Sequence, residues 1–391
     1  MHFRPIAAVA IFALSACASA TSIVPQTHQP ATRVARHTHA NEGGNALPGE
    51  GGNALPGGVL ACTFDPTPGV GNCTVAINTN VPPLDDPTQP ASLISGLHPA
   101  DLIDAYNLPA SNAGGVVAVV DAYDDPLAEQ DLAVYRTTFG LSACTSSNGC
   151  FRKVDQSGGT AYPAPNAAWS DEIALDLDMV SAACPNCSIL LVEANSASID
   201  DLGSSVDEAV ALGARYVSNS YYAFEWPAET SEDAHYRHPG VALTVSSGDA
   251  AEPFYPAASP YVTVVGGTSL GGSAGAWTQS PWKFSGGGCT AYEPKPSFQH
   301  GVPCSTRAAA DVAAIADPQT GVATFATSAG GWVVAGGTSV GAPLIAAAYA
   351  LSGNPQAASY SYAHAGAFRD IPPAGYDLAT GLGSPQGVNG L

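Results

Sequence analysis

The chain has 391 residues, 46% of them hydrophobic and only 12% charged, so it can bury a sizeable core, and global disorder is excluded. Twelve Lys and Arg stand against 33 Asp and Glu, a formal net charge of −21, which argues against phosphate-backbone binding and hence against a nucleic-acid partner. A pI near 4.4 and only three lysines, Lys153, Lys283 and Lys295, suit an acidic medium in which carboxylates protonate and self-repulsion fades, although simple solubility at neutral pH accounts for the same balance.

Residues 1–20 read as a signal peptide: one Arg, an apolar run from Ile6 to Leu14, then small residues. The run is too short to span a bilayer. Two processing sites compete. Leu14 to Cys17, "LSAC", resembles a bacterial lipobox and would place a lipid anchor on Cys17, whereas "ASA", Ala18 to Ala20, suits cleavage before Thr21. Either way the expected location is secreted or cell envelope: periplasmic, outer-membrane lipoprotein or extracellular. Apart from Cys17 the cysteines fall into neighbours, Cys62/Cys73, Cys144/Cys150, Cys184/Cys187 and Cys289/Cys304. Local disulfides in an oxidising compartment are the natural reading, although spacing does not prove connectivity. "CPNC" could instead be a redox or zinc motif, but no second CxxC or His pair supports zinc.

Residues 21–95 differ from the rest. "EGGNALPG" occurs in tandem at Glu42–Gly49 and Glu50–Gly57, and a Pro- and Asp-rich stretch follows Cys73. Two short Gly- and Pro-containing copies cannot build a solenoid, so this part is expected to be a low-complexity spacer or a short propeptide. The catalytic domain is expected over 96–391.

Short β-branched runs then alternate with helical patterns. The strand segments are Gly114 to Asp125, Ser188 to Ala194, Ala214 to Tyr221, Val241 to Asp249 and Tyr261 to Ser269. Between them lie "DPLAEQDLAVYRTTFG", "SDEIALDLDMVSAA" and "DLGSSVDEAVALG". Such alternation predicts an α/β fold with a mostly parallel central sheet, whose ligand site lies at the carboxyl ends of its strands.

Near the C-terminus "VAGGTSVGAPLIAAAYALSG" predicts a strand, a Gly turn and a buried helix beginning near Ser339. Serine caps helices well, which is one reading of Ser339. The other is a nucleophile at a helix N-terminus, where dipoles favour developing negative charge. A nucleophile needs a base. Of the nine histidines, His2, His28, His37 and His39 precede the domain, and His235 and His238 flank "YR" in what reads as a solvated loop. Carboxylates are better placed. Glu172 and Asp176 are four residues apart and share one helix face, where like charges disfavour the helix. Asp178 adds a third, and no Lys or Arg lies between Asp171 and Cys184.

Glu-x-x-x-Asp on a helix (Glu172, Asp176), Ser-Gly-Asp after a strand (Asp249) and Gly-Thr-Ser followed by Ala-Pro (Ser339) together resemble the sedolisin family of serine-carboxyl peptidases. The resemblance runs from about Gly96 to the end and includes "YPAASPYVTVVGGTSL" and "DLATGLGSP". It implies a subtilisin-like three-layer fold and a secreted endopeptidase, a monomer acting on proteins or peptides. It further implies Ser339 as nucleophile, Glu172 as general base supported by Asp176, and Asp249 in the oxyanion position. A carboxylate base and an acid that donates only while protonated both predict an acid optimum.

The resemblance also implies one calcium ion, with Asp370, Ile371, Gly375 and Asp377 as ligands. Here the loop between the aspartates is short and holds Pro372 and Pro373, so those residues could instead brace a turn. Two further departures are "SGDAAEPFYP", which replaces a small, Gly-rich continuation, and an N-terminal segment too short for a full sedolisin prosegment. The alternatives are a catalytically inactive sedolisin-like surface or binding protein, a histidine-based subtilisin-like protease, and a carbohydrate hydrolase using Glu172 and Asp176. The last fits poorly, because carboxylates one turn apart on one helix cannot flank a sugar.

Overall fold

A computed structural model describes residues 54–110 and 114–391. The predicted leader, Cys17 and the first copy of the tandem repeat lie outside the described residues. The described residues open with four short strands, β1 (Ala54–Leu55), β2 (Gly58–Leu60), β3 (Asn72–Cys73) and β4 (Ala76–Asn78). Helix α1 (Pro99–Ala105) leads into alternating strands and helices: β5 (Val116–Ala122), α2 (Ala128–Thr138), β6 (Phe151–Asp155), α3 (Ala167–Ala183), β7 (Ser188–Ala194) and α4 (Ile199–Ala211). After these come β8 (Tyr216–Asn219), β9 (Tyr221–Tyr222), β10 (Ala242–Ser246), β11 (Thr263–Gly271) and β12 (Thr278–Pro281). The last part holds β13 (Gly288–Pro294), β14 (Thr306–Ala309), β15 (Val312–Ile315), β16 (Val322–Ala326), β17 (Gly331–Gly336) and α5 (Gly341–Ser352).

The central sheet runs β12-β11-β10-β8-β5-β7-β6, with β15 also on β11. Every pairing is parallel except β11 with β12. The mostly parallel α/β sheet expected from the alternation is therefore present. Residues Val117 to Ala122 of β5 are all buried. Successive side chains point to opposite faces, so both faces of this strand are covered. Helix α3 packs on α5 and β5, and α4 packs on β7 and β5. Order reverses around β5: β6 and β7 lie on one side of it, and β8 and β10 on the other. The carboxyl end of a strand at such a switch point is where open α/β sheets place ligands.

Within the spacer or short propeptide expected over 21–95, residues 54–78 include four short strands. Leu55-Pro56-Gly57-Gly58, at the end of the second copy of the repeat and one residue beyond it, makes a tight turn with Gly57 at φ +75°. Proline followed by a left-handed glycine is the chemistry of a type II turn, and it joins β1 to β2. These strands continue through β4 into β17 and β16, forming a second, antiparallel sheet. Composition reads this region as flexible because its strands are two or three residues long. Only long-range pairing with β17 gives them a place.

The four neighbouring cysteine pairs are all disulfide-bonded: Cys62–Cys73, Cys144–Cys150, Cys184–Cys187 and Cys289–Cys304. Among the described residues no helix is long and apolar enough to cross a membrane.

Asp178, the third acid of α3, ties the helix to β16. Its Oδ2 accepts from Thr324 Oγ1 at 2.7 Å and from Phe325 N at 3.0 Å, and the side chain is buried. Asp178→Ala leaves both donors unsatisfied and should lower unfolding free energy by about 1–3 kcal/mol. Urea denaturation, read as a shift in midpoint at constant slope, checks this.

Candidate active site

Helix α3 begins at Asn166, whose side chain caps it by accepting from Ala168 N and Trp169 N. Its buried stretch carries Glu172 and Asp176 inward, one turn apart and both fully buried. The acidic face therefore looks into the protein rather than out to water. It faces the carboxyl ends of β5 and β8. From β5 comes Asp121, also fully buried and with no hydrogen-bond partner on either oxygen. Just beyond β8, Ser220 Oγ lies 2.8 and 2.7 Å from the two oxygens of Asp176.

Ser339 follows β17 through Gly336 and Gly337, and a single 3-10 turn joins it to α5. Gly337 has φ +97°, a region open to glycine. Asp249 follows β10 and approaches the same turn: its Oδ1 accepts from Thr338 N at 2.9 Å and Thr338 Oγ1 at 2.8 Å. Asp249 Oδ2 is buried and unpartnered. Burial pushes the Asp249 carboxyl up to about 7, and the two Thr338 donors offset part of that rise.

The four side chains singled out in the sequence thus come to one place. The Ser339 hydroxyl reaches the Glu172 carboxylate closely enough to lower its pKa. Burial nonetheless drives Glu172 well above the usual carboxylate range, and Asp121 and Glu172 add to the effect of burial on Asp176. Asp121 is pushed up to about 8 by burial. Carboxylates that raise one another's pKa in this way cannot all ionise. Glu172 is the member with N–H donors, since its Oε2 accepts from Thr74 N and Val75 N at 2.7 Å each. Those bonds favour placing the negative charge on Glu172 and leaving Asp121 neutral.

Asp121 and Ser220 were not singled out from the sequence. "VVAVVDAYDD" did read as a strand ending in acids, but nothing in the pattern says that Asp121 meets α3. Ser220 carries no signal at all, because its role depends on where β8 ends relative to Asp176. Four of the five described histidines bond elsewhere, His98 to Ile94 O, His364 to Tyr360 O, and both His235 and His238 to Asp207, and the fifth, His300, is exposed. Rather than lying free in solvent, His235 and His238 are each about one-fifth exposed.

All four candidate side chains are fully buried, and a strap of the N-terminal region lies against Glu172 and Ser339. Strand β3 pairs antiparallel with β9, as Asn72 with Tyr222 and Cys73 with Tyr221. Strand β4 pairs antiparallel with β17, as Ala76 with Gly336 and Ile77 with Ala335. Thr74 and Val75 connect the two, are themselves fully buried, and place the Thr74 hydroxyl against the Ser339 hydroxyl.

The residues expected to hold calcium do not fit that ion. Asp370 Oδ2 accepts from Gly375 N at 2.9 Å. Asp377 Oδ1 accepts from Ala379 N and Thr380 N at 2.9 and 3.0 Å, and its Oδ2 accepts from Thr380 Oγ1. N–H and O–H groups thus occupy Asp370 Oδ2 and both Asp377 oxygens, atoms a cation would need, and through them both aspartates brace turns. Among the described residues, Asp200, Glu232 and His235 bring potential ligand atoms within 4.8 Å of one another, but three such groups fall short of the six to eight oxygens calcium takes.

No family model matches the chain. Kumamolisin of Bacillus sp. (strain MN-32) is 28% identical over an alignment of 355 residues, which covers 74% of this chain and 62% of that protein. The chain therefore spans less than two thirds of that relative's length. Among solved structures, Pseudomonas sedolisin, a serine-carboxyl proteinase complexed with two molecules of pseudo-iodotyrostatin, matches with a TM-score of 0.64. It is 22% identical and covers 75% of this chain and 96% of its own. A protein described as S41 Psychrophilic Protease matches with a TM-score of 0.49 at 16% identity, over 75% of this chain and 99% of that one. The chain has the subtilisin-like fold of the sedolisins, as its motifs led us to expect.

The buried acids set the pH dependence of stability. Asp121, Glu172, Asp176, Asp178 and Asp249 all have folded pKa values raised above their unfolded ones. The folded state therefore holds more protons than the unfolded chain between about pH 4 and 8, and stability falls as pH rises through that window. Melting should be several degrees higher at about pH 4 than at about pH 8, which calorimetry across that range will test. Adding EDTA or calcium should leave the melting temperature unchanged; a calcium-dependent rise would mean that the Asp370–Asp377 loop rearranges around the ion.

Proposed function

We propose that the protein is a secreted serine-carboxyl endopeptidase that hydrolyses peptide bonds of protein or peptide substrates in acid. One observation carries this reading: a serine hydroxyl just before a buried helix stands beside a carboxylate cluster and near a second carboxyl with one unpartnered oxygen, with no described histidine hydrogen-bonded to any of them. Kumamolisin and the Pseudomonas serine-carboxyl proteinase support the same class.

Ser339 Oγ attacks the scissile carbonyl and Glu172 takes its proton. Asp176 and Asp121 share the remaining protons of the cluster, so that Glu172 is the ionised member. Ser220 keeps Asp176 turned toward Glu172. The developing oxyanion forms beside Asp249, whose Oδ2 has no other partner and donates only when protonated. Glu172 then passes its proton to the leaving amine, and water releases the acyl group by the reverse route. Stabilising the oxyanion needs Asp249 neutral, and its carboxyl is pushed up to about 7, so the rate falls above that pH; it falls again in stronger acid as the Glu172 base takes a proton. The expected location remains outside the cytoplasm, in agreement with four disulfides.

A strap across the site is also what an inactive binding protein would carry, and a rate measurement separates the two readings. Hydrolysis of denatured casein from about pH 3 to 8 should show an acid optimum. Ser339→Ala should abolish it, with a loss of at least about 10⁴-fold, and Glu172→Gln should cost about 10²–10⁴-fold. Asp249→Asn should reduce the rate by about 10²–10³-fold and also remove its fall above about pH 7, because an amide donates at every pH. A neutral optimum that survives Glu172→Gln would overturn the assignment of the base.

A further inference from the structure

A carboxylic acid has two oxygens and one proton, so Asp249 serves an oxyanion only if the proton sits on the right one. The hydrogen bonds around it decide which. Thr338 N donates to Asp249 Oδ1 at 2.9 Å, and Thr338 Oγ1 lies 2.8 Å from the same atom. A hydroxyl can give or take, so the direction of the second bond rests on the surroundings of Thr338. That side chain is fully buried, and Gly248 N donates to its Oγ1 at 3.1 Å. Among the described residues, Asp249 Oδ1 is the one acceptor that the hydroxyl hydrogen reaches. Turned elsewhere, that hydrogen would be buried without a partner, which is costly. Oδ1 therefore receives two hydrogens, one from the Thr338 backbone and one from its side chain. Both of its lone pairs are used, and the acid proton is left to Oδ2.

Oδ2 is the oxygen free to act. It is buried and has no partner, and it lies against Gly337, where an added side chain would meet it at 2.9 Å. Gly337 is two residues before Ser339. The Thr338 methyl group packs beside Gly267, close enough that a Cβ there would come within 3.3 Å of it. Methyl and hydroxyl are thus each held on their own side, and the hydroxyl stays turned toward Asp249.

We propose that Thr338 is a positioning residue that places the Asp249 proton: Gly248 N–H, the Thr338 hydroxyl and Asp249 Oδ1 form one directed chain that leaves the acid hydrogen on Oδ2, facing the oxyanion. The inference rests on the serine-carboxyl reading of the site and adds to it a task for the threonine that precedes the nucleophile.

Loss of the hydroxyl has two consequences of opposite sense. Oδ1 keeps a single donor, so the proton can also settle there, and part of the neutral acid then presents no hydrogen to the oxyanion. The rate in acid falls. A donated hydrogen bond also favours the ionised carboxyl, and the Thr338 hydroxyl works in that sense here, against burial. Without it Asp249 keeps its proton to higher pH, and the alkaline fall in rate moves upward. Few other groups bear on that fall. Tyr222 of β9 faces Asp249 and is held neutral by burial, Glu252 follows in the same loop, and no described salt bridge reaches Asp249. A general loosening of the site would do the reverse. Admitted water would relieve the burial that raises the carboxyl, and the alkaline fall would move to lower pH.

The test measures casein hydrolysis at saturating substrate from about pH 3 to 9, with thermal melting of each variant. Thr338→Val should be about tenfold slower at about pH 4, with its alkaline fall at higher pH than in the unaltered chain. Thr338→Ser keeps the hydroxyl. It should stay within about threefold of the unaltered rate and leave the alkaline fall in place. Thr338→Ala, which also lacks the hydroxyl, takes the place of the valine variant if that one does not melt as a folded protein. Three outcomes would overturn the role of Thr338 while leaving the peptidase reading intact: a folded valine or alanine variant as fast as the unaltered chain, an alkaline fall that stays put or moves to lower pH, or a serine variant that behaves like the valine one. Absence of Ser339-dependent hydrolysis by the unaltered chain would overturn both.

Discussion

Burying a carboxylate without a cation beside it is costly, and the architecture around Ser339 is a response to that cost. An isolated ionised carboxyl in an apolar interior shifts its pKa and takes a proton unless donors hold its charge. Asp121, Glu172, Asp176 and Asp249 are all fully buried, and no salt bridge reaches them among the described residues. What stabilises them is a small set of hydrogen donors: Thr74 and Val75 N–H for Glu172, Ser220 for Asp176 and Thr338 for Asp249. Asp121, with none, is the natural place for a proton.

Two other sites treat buried acids differently. Arg307 grips Asp311 with two guanidinium bonds, at 2.7 and 2.5 Å, and both side chains are fully buried. Lys153 lies 2.9 Å from the buried Glu193 and also pairs with Asp124. A bidentate Arg–carboxylate pair fixes geometry and keeps its charge at any working pH. Acids without cations can exchange protons near neutrality. In these two places a cation neutralises a structural acid, whereas Asp178, like the acids around Ser339, is held by hydrogen donors alone.

The fold delivers these groups because β5, β8 and β10 all end at one edge of the sheet, next to the place where strand order reverses. Helix α3 crosses that edge with an inward acidic face, and the turn from β17 into α5 brings the serine to it. The N-terminal strap closes the site. It supplies two of the donors that hold the Glu172 charge, so an open cleft must replace them with water or with the amides of another peptide.

Much of this was legible beforehand. Strand–helix alternation announced the parallel sheet because a parallel connection requires a crossover of that length. The Glu172–Asp176 spacing placed two carboxyls on one face because helical period is local. The Gly-Thr-Ser turn and the acid after β10 carried enough local chemistry to be recognised, and the cysteine neighbours matched the observed disulfides. These features depend on residues close together in the chain. Other features depend on residues far apart. Asp121 joins the cluster because β5 lies beside β8 and beneath α3. Thr74 meets Ser339 across the whole length of the domain. The strands of residues 54–78 are too short to show a period and gain their order from β17 and β9. The Asp370 and Asp377 carboxyls have the ligand types of a calcium site, but only the folded loop shows that N–H and O–H donors already occupy them. The sequence by itself determined which chemistry the chain carries, because residue type and local period are written in it. Only the tertiary structure decided which acids share protons and what covers the nucleophile, because burial and long-range strand pairing exist only once the chain has closed on itself.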